Sequence, residues 1–243
     1  MARYNCILLD LDGTVLNFEA SEQIALEKTL EHFELPNTVQ VTDTYKKINN
    51  ELWREFEKGE IKKEVLVNVR WEKLFIHLDK TGDYKKVNDF YFSILSQYGV
   101  AYPDAKEFLE EIAEVATIAA ATNGVERVQK SRLASSGIAV YMDEIFVSEK
   151  IGAVKPSAKF FNVAIDKLGI TNLSKVLVVG DSLNADIKGG INAKLDTCWV
   201  NFNEIENPTN INPKYVVTDY EQLKDIIYGE EGKPVAKDKQ KTS

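Results

Sequence analysis

The sequence predicts an α/β protein: a parallel sheet covered on both faces, with an all-helical subdomain inserted near its start. Three observations carry this. Short, continuous apolar runs alternate with helical stretches from residue 100 onward, the pattern of parallel strands buried on both faces. One further apolar run, Tyr4–Leu9, stands alone at the N-terminus. Between them, residues 17–99 hold long stretches of helical spacing and only Gly59 and Gly82 before Gly99.

Taken in order, the run from Tyr4 reads as a buried strand ending in a turn at Asp10-Leu11-Asp12-Gly13. In the insertion, Leu52 and Phe56, then Leu66, Arg70, Leu74 and Leu78, fall three or four residues apart, which predicts four or five helices. Gly13 to Phe18 and Gly99 to Pro103 are the connections into and out of it. Thr117–Ala121 is the second strand, and Val125–Ser136 a helix closed by Gly137. Glu144–Val147 is the third strand, and Ser157 caps a helix that Gly169 stops. Lys175–Val179 is the most apolar strand and is followed by a helix near Ala185–Ile191. Thr197–Val200 and Tyr215–Val217 complete the sheet before a last helix from Asp219 to Tyr228. The expected division is therefore a core from residues 1–16 and 100–228, an inserted helical domain at 17–99, and a lysine-rich, disordered tail at 229–243.

Composition narrows the function. Of 243 residues, 30 are basic and 38 acidic, a net charge of −8, so a nucleic-acid polymer is not an expected partner. The same charge argues at first against small anionic substrates. The longest apolar runs, such as Val115–Ala121, are strand-length, so no membrane partner is expected. The N-terminus reaches Asp10 without room for a signal peptide. Cys6 and Cys198 each lie in an apolar run, and His32 and His77 are the only histidines, which argues against disulfide scaffolds and zinc sites. The expected compartment is the cytoplasm.

The polar residues at the strand ends carry the chemistry. Asp10 and Asp12 end the first strand, Thr122-Asn123-Gly124 the second, Lys155-Pro156 follows the third, and Asp181 with Asp186 follows the most apolar one. In a parallel sheet all these ends lie at one edge, where ligands gather. Singly, each has an ordinary use as a cap, a turn or a surface lysine; the ordered set is far more specific. Four carboxylates in one cleft repel, so a cation must hold them, and magnesium, a hard ion that takes oxygen ligands, is the natural candidate. Local Mg²⁺ and Lys155 would also let an acidic protein bind phosphate.

Asp10-Leu11-Asp12-Gly13-Thr14, Thr122, Lys155 and Gly180-Asp181-Ser182-Leu183-Asn184-Ala185-Asp186 resemble, in order, the four motifs of the haloacid dehalogenase (HAD) superfamily. The resemblance covers Ile7 to about Val200. It implies a Rossmann-like, HAD-like core, with residues 17–99 as a helical cap. The wording of Ser148–Pro156, Gly180–Ala193, Thr122–Gly124 and Asp196–Trp199 is similar to the YjjG/YfnB-type 5′-nucleotidases. A departure is Lys194, where that branch is expected to carry glycine; it touches only the local turn.

The resemblance implies a Mg²⁺-dependent phosphomonoester hydrolase that works through an aspartyl-phosphate, a nucleoside 5′-monophosphate phosphatase first of all. Asp10 would be the nucleophile, Asp12 the general acid and base, and Lys155 the neutralising cation. Thr122, Asn123 and Lys155 would bind the phosphate. Asp10, Asp12 (by its main-chain carbonyl), Asp181 and Asp186 would hold Mg²⁺. Dehalogenases of the superfamily lack the second aspartate, so Asp12 points away from that chemistry. A sugar-phosphate or phosphoglycolate phosphatase, a phosphomutase, and a non-enzymatic phosphate-sensing or protein-binding module stay open, as do monomer and homodimer. Cap aromatics such as Tyr45, Trp71 and Tyr91 could stack on a base, but their spacing favours packing between helices. Arg70, Lys62 and Lys63 could meet a ribose or second phosphate; a solvated helix face is the simpler expectation.

Overall fold

The structure, a computed structural model, describes residues 2–229. From residue 230 on, the tail expected at 229–243 lies outside the described residues. The described chain divides into two compact units, the first from residues up to Val15, Tyr102–Asn123 and Val140 onward, the second from Leu16–Ala101 and Gly124–Ala139.

The first unit is built on six parallel strands: β1 (Cys6–Leu9), β2 (Thr117–Thr122), β3 (Glu144–Val147), β4 (Val176–Gly180), β5 (Asp196–Val200) and β6 (Tyr215–Val217). Their spatial order is β3-β2-β1-β4-β5-β6, all neighbours parallel. This is the parallel α/β sheet the alternation predicts. The most apolar runs, β1 and β4, lie side by side in the middle and are buried at every residue, as strands covered on both faces must be.

The helices take their places in sequence. In the second unit, α1 (Phe18–His32), α2 (Val39–Lys58), α3 (Lys63–His77) and α4 (Tyr84–Leu95) form the helical insertion, joined by α6 (Glu126–Ser136). Asn17, Thr38 and Asp83 cap α1, α2 and α4 by accepting main-chain N–H bonds. The ends of the insertion meet in an antiparallel bridge between Leu16 and Ala101. In the first unit lie α5 (Ala105–Ala113), a single-turn α7 (Ser148–Ile151), α8 (Ala158–Leu168), α9 (Lys188–Asn192) and α10 (Tyr220–Tyr228). Helix α8 lays Phe160 and Phe161 into the cluster that holds Leu8, Ala119 and Val178. Helix α5 packs on β2 and α10. No helix among the described residues is long and apolar enough to cross a membrane.

Five details differ from the sequence reading. Helix α5 and the short α7 were not expected. The helix after β4 starts as a wide π-type turn, Leu183–Ile187, before α9. Ser157 stands at the N-cap of α8 without a side-chain capping bond. Arg70 is not on a solvated face: it is buried and donates to Asn49 at 3.1 Å and Asn88 at 2.7 Å, while Asn49 donates to buried Glu22 at 3.0 Å. Each of the four insertion helices thus contributes one member of a buried polar chain. Lys63 is likewise buried, its Nζ 2.7 Å from the Gly124 carbonyl; Lys62 is exposed. Tyr45, Trp71 and Tyr91 are fully buried and pack ring against ring.

Candidate active site

All the sequence-predicted site residues, Asp10, Asp12, Thr122, Asn123, Lys155, Asp181 and Asp186, fall in the first unit, at or beyond the carboxyl ends of β1, β2, β3 and β4. The central pair of strands places the acids. Asp10 follows β1 directly and ties its N–H to the Val179 carbonyl of β4 at 2.8 Å. Asp181 follows β4, and Asp186 comes back to it through the π-type turn. One carboxylate oxygen from each of Asp10, Asp181 and Asp186 lies within 4.8 Å of the others.

Lys155 stands at the centre of this group. Only 2% exposed, its Nζ donates to Asp10 Oδ1, Asp186 Oδ1 and the Ala121 carbonyl, each at 2.6 Å. All three ammonium protons are thereby used. Its backbone is held as tightly. The Asn123 amide donates to the Lys155 carbonyl and accepts from the Lys155 N–H, both at 3.0 Å. The side chain of Asn123 therefore serves Lys155, a use that its place beside Thr122 did not reveal. Thr122 itself closes β2 and is buried.

Two glycines give the carboxylates room. A Cβ on Gly13, whose φ is +80°, would lie 2.2 Å from Asp181 Oδ2; one on Gly180 would lie 2.3 Å from Asp186 Cγ. The Ser182 N–H donates to Asp186 Oδ2 at 3.1 Å, and Trp199 Nε1 donates to the Asp181 carbonyl at 2.8 Å. Trp199 pairs with Gly180 across β5 and β4, so the indole sits where it can brace the loop. Sequence reasoning noted the Trp199 segment without giving the residue this task.

The electrostatics follow from three acids sharing one ammonium. Burial, then the charges of Asp186 and Asp181, raise Asp10 well above the usual carboxylate range, although Lys155 pulls the other way. Loss of water around the carboxylate, then the charge of Asp186, pushes Asp181 up to about 8, even though the residue keeps an exposed surface. Burial alone would lower Lys155, but Asp10 and Asp186 reverse this and hold it above its ordinary value. With Asp10 and Asp181 both raised, the cluster is under-compensated by its single lysine. Its all-oxygen donor set fits a hard divalent cation. Asp12 is partly exposed and stands outside the trio, close enough for its charge to raise Asp181.

A parallel sheet whose central strand ends bring an acidic trio around one buried lysine defines a hydrolytic α/β enzyme core. The chain belongs to the haloacid dehalogenase-like hydrolase family, whose model matches residues 4–194. It is 36% identical to pyrimidine 5′-nucleotidase PynA of Streptococcus pneumoniae over 225 residues, 92% of this chain and 95% of that protein. Pyrimidine 5′-nucleotidase YjjG of Escherichia coli is 30% identical over 225 residues, 93% of this chain and 98% of its own length. The crystal structure of the HAD-hydrolase YfnB of Bacillus subtilis, bound to magnesium, superposes with a TM-score of 0.88 at 34% identity and covers 93% of this chain and 99% of that one. The chain is an enzyme, and its kinship within the family is with phosphatases.

Proposed function

We propose that this hydrolase is a Mg²⁺-dependent nucleoside 5′-monophosphate phosphatase that works through an aspartyl-phosphate on Asp10. The observation that carries the reading is the position of Lys155 Nζ, 2.6 Å from both Asp10 and Asp186, with the Asp181 carboxylate beside them. Similarity to two pyrimidine nucleotidases along nearly the whole chain supports pyrimidine nucleotides as the preferred class.

Asp10 attacks phosphorus in line with the leaving oxygen; the new Asp10–phosphorus bond forms as the phosphorus–oxygen ester bond breaks. Asp12, two residues on, gives its proton to the departing alkoxide. It then takes a proton from the water that attacks the acyl-phosphate, so Asp10 and inorganic phosphate are regenerated. Lys155 favours the ionised form of Asp10, orients it and offers positive charge to the transferring group. Thr122, through its hydroxyl, and Asn123, through its main-chain N–H, take the phosphate oxygens. Asn123 also fixes Lys155 in place. Asp10, Asp181, Asp186 and the Asp12 main-chain carbonyl would hold Mg²⁺. When bound, the ion offsets the repulsion between the carboxylates and the substrate's phosphate. The enzyme then works in the cytoplasm, as a monomer or homodimer, on a small phosphorylated metabolite.

Phosphate release from UMP, dTMP, AMP, ribose 5-phosphate and phosphoglycolate, with Mg²⁺ and with EDTA, tests the reading. The expected result is metal-dependent release, fastest from UMP or dTMP. Faster turnover of the sugar phosphate or phosphoglycolate overturns the nucleotidase reading. No release from any substrate, or an Asp10→Asn protein as active as wild type, overturns the mechanism.

A further inference from the structure

Outside the four motifs, one contact reaches the loop that carries Asp12. Tyr220, the first residue of α10, is buried and donates its Oη to the Thr14 carbonyl at 2.7 Å. Thr14 closes a turn: its N–H reaches the Leu11 carbonyl at 3.3 Å, and the Val15 N–H reaches the same oxygen at 3.0 Å. Gly13, third in that turn, has the left-handed φ of +80° that a type II turn takes there. Asp12 is the second residue, so the direction of its side chain depends on the turn staying closed.

Thr14 has few other holds. It is wholly buried, and its hydroxyl has no hydrogen-bond partner among the described residues. Beyond its own turn it is held by the carbonyl, on Tyr220. The Tyr220 ring is itself tightly placed. It stacks on Phe108, with centroids 4.8 Å apart and planes at 17°, and meets Phe202 edge-on at 5.1 Å. Phe202 in turn meets Tyr102 at 5.4 Å, and the Tyr102 N–H donates to the Val15 carbonyl at 3.1 Å. Tyr220 through its hydroxyl and Tyr102 through its main-chain N–H therefore hold two successive carbonyls just beyond Asp12. Burial pushes the Tyr220 phenol further up from its ordinary value, so its hydroxyl stays a donor at every working pH.

We propose that Tyr220 is a positioning residue for Asp12: through the Thr14 carbonyl it holds closed the turn that aims Asp12 at the leaving oxygen. This rests on the reading of Asp12 as proton donor given above. The leaving group then tells the effect apart from general loosening. A nucleoside 5′-alkoxide needs the proton from Asp12 in order to leave, whereas p-nitrophenolate departs as the anion. The ratio kcat/KM reports only the steps up to phosphoryl transfer, so the later hydrolysis of the acyl-phosphate does not blur the comparison.

The experiment compares wild type with Tyr220→Phe on UMP and on p-nitrophenyl phosphate at saturating Mg²⁺. The expected result is a loss of about 10- to 100-fold in kcat/KM for UMP, part of the full general-acid contribution, with less than about a threefold loss for p-nitrophenyl phosphate. Equal losses on the two substrates, or no loss on UMP, overturn the proposal. Should Tyr220→Phe melt below the assay temperature, Phe202→Leu replaces it, since it keeps the hydroxyl but loosens the seat of the ring. The same unequal loss supports the proposal and an equal loss overturns it. A wild-type protein that hydrolyses neither ester overturns the phosphatase reading, and the role of Tyr220 with it.

Discussion

Gly180 and Asp186 share one space: a Cβ on Gly180 would stand 2.3 Å from the Asp186 carboxyl carbon, and no side chain fits between them. The last residue of β4 thus decides where the second acid of its own loop can lie. That acid also takes the Ser182 N–H at 3.1 Å and Lys155 Nζ at 2.6 Å, so displacing it disturbs both contacts at once.

Gly180→Ala should therefore act mainly through Asp186. One buried methyl forced into filled space costs about 1–3 kcal/mol of stability. With Asp186 pushed off Lys155, kcat/KM should fall on the order of 10²-fold, the scale of losing one electrostatic contact at a reacting centre. Thermal melting and steady-state kinetics check the two effects. A protein that folds normally and retains full activity would show that the space can be shared after all.

Lys155 is the only ammonium bonded to the trio among the described residues, and it is buried. Lys155→Met keeps the length of the side chain but leaves Asp10 and Asp186 facing each other without their partner. Loss of one member of a buried ion pair costs about 3–5 kcal/mol. The cost should be largest at pH 8 and shrink toward pH 5, where the abandoned Asp10, already raised by burial, takes up a proton. Chemical denaturation at the two pH values measures the difference. Activity should drop by at least the 10²- to 10³-fold typical of losing one charge-stabilising donor.

The sheet was legible because its strands speak through local composition. Cys6–Leu9 and Val176–Gly180 are apolar at nearly every residue, and central parallel strands need that. The acids were legible because each sits at a strand end. The state of Lys155 was not: a lysine in a loop reads as a surface residue, and only the convergence of three strand ends buries it. Arg70 misleads in the same way, since its partners Asn49 and Asn88 lie 21 and 18 residues away. Trp199 and Tyr220 brace main-chain carbonyls of distant loops, at separations of 18 and 206 residues, and no local pattern announces such bonds. Helix α5 carries its signal in Ala105, Phe108, Leu109 and Ile112, at helical spacing on one buried face.

Lys194 departs from the glycine expected at its place, and its φ of +60° explains why glycine suits the turn. A side chain in the left-handed region costs roughly 1–2 kcal/mol. Glycine returns part of this through the freedom of its unfolded chain, about 0.5–1 kcal/mol. Lys194→Gly should leave activity unchanged and stabilise the protein by about 0.5–1 kcal/mol. A higher denaturant midpoint with an unchanged slope checks it, and a lower midpoint refutes it.

Asp181 makes the link between acidity and metal measurable. Burial and the charge of Asp186 push its carboxyl up to about 8, against about 3.9 in an unfolded chain. Between those values the folded state binds the proton and the unfolded state does not, so the group lowers stability progressively as pH rises from about 4 to about 8. Asp181→Asn cannot titrate. In EDTA its melting temperature should match wild type near pH 4 to 5, exceed it increasingly toward pH 8, and keep a constant lead above that. Mg²⁺ should reverse the order, since it binds the ionised wild-type site and has lost a ligand in the variant. The Mg²⁺-induced rise in wild-type melting temperature should grow over the same pH window, with proton release on titration of Mg²⁺ near pH 7. A pH-independent difference between the two metal-free proteins would mean that Asp181 is already ionised, and that the trio does not wait on a cation to lose its proton.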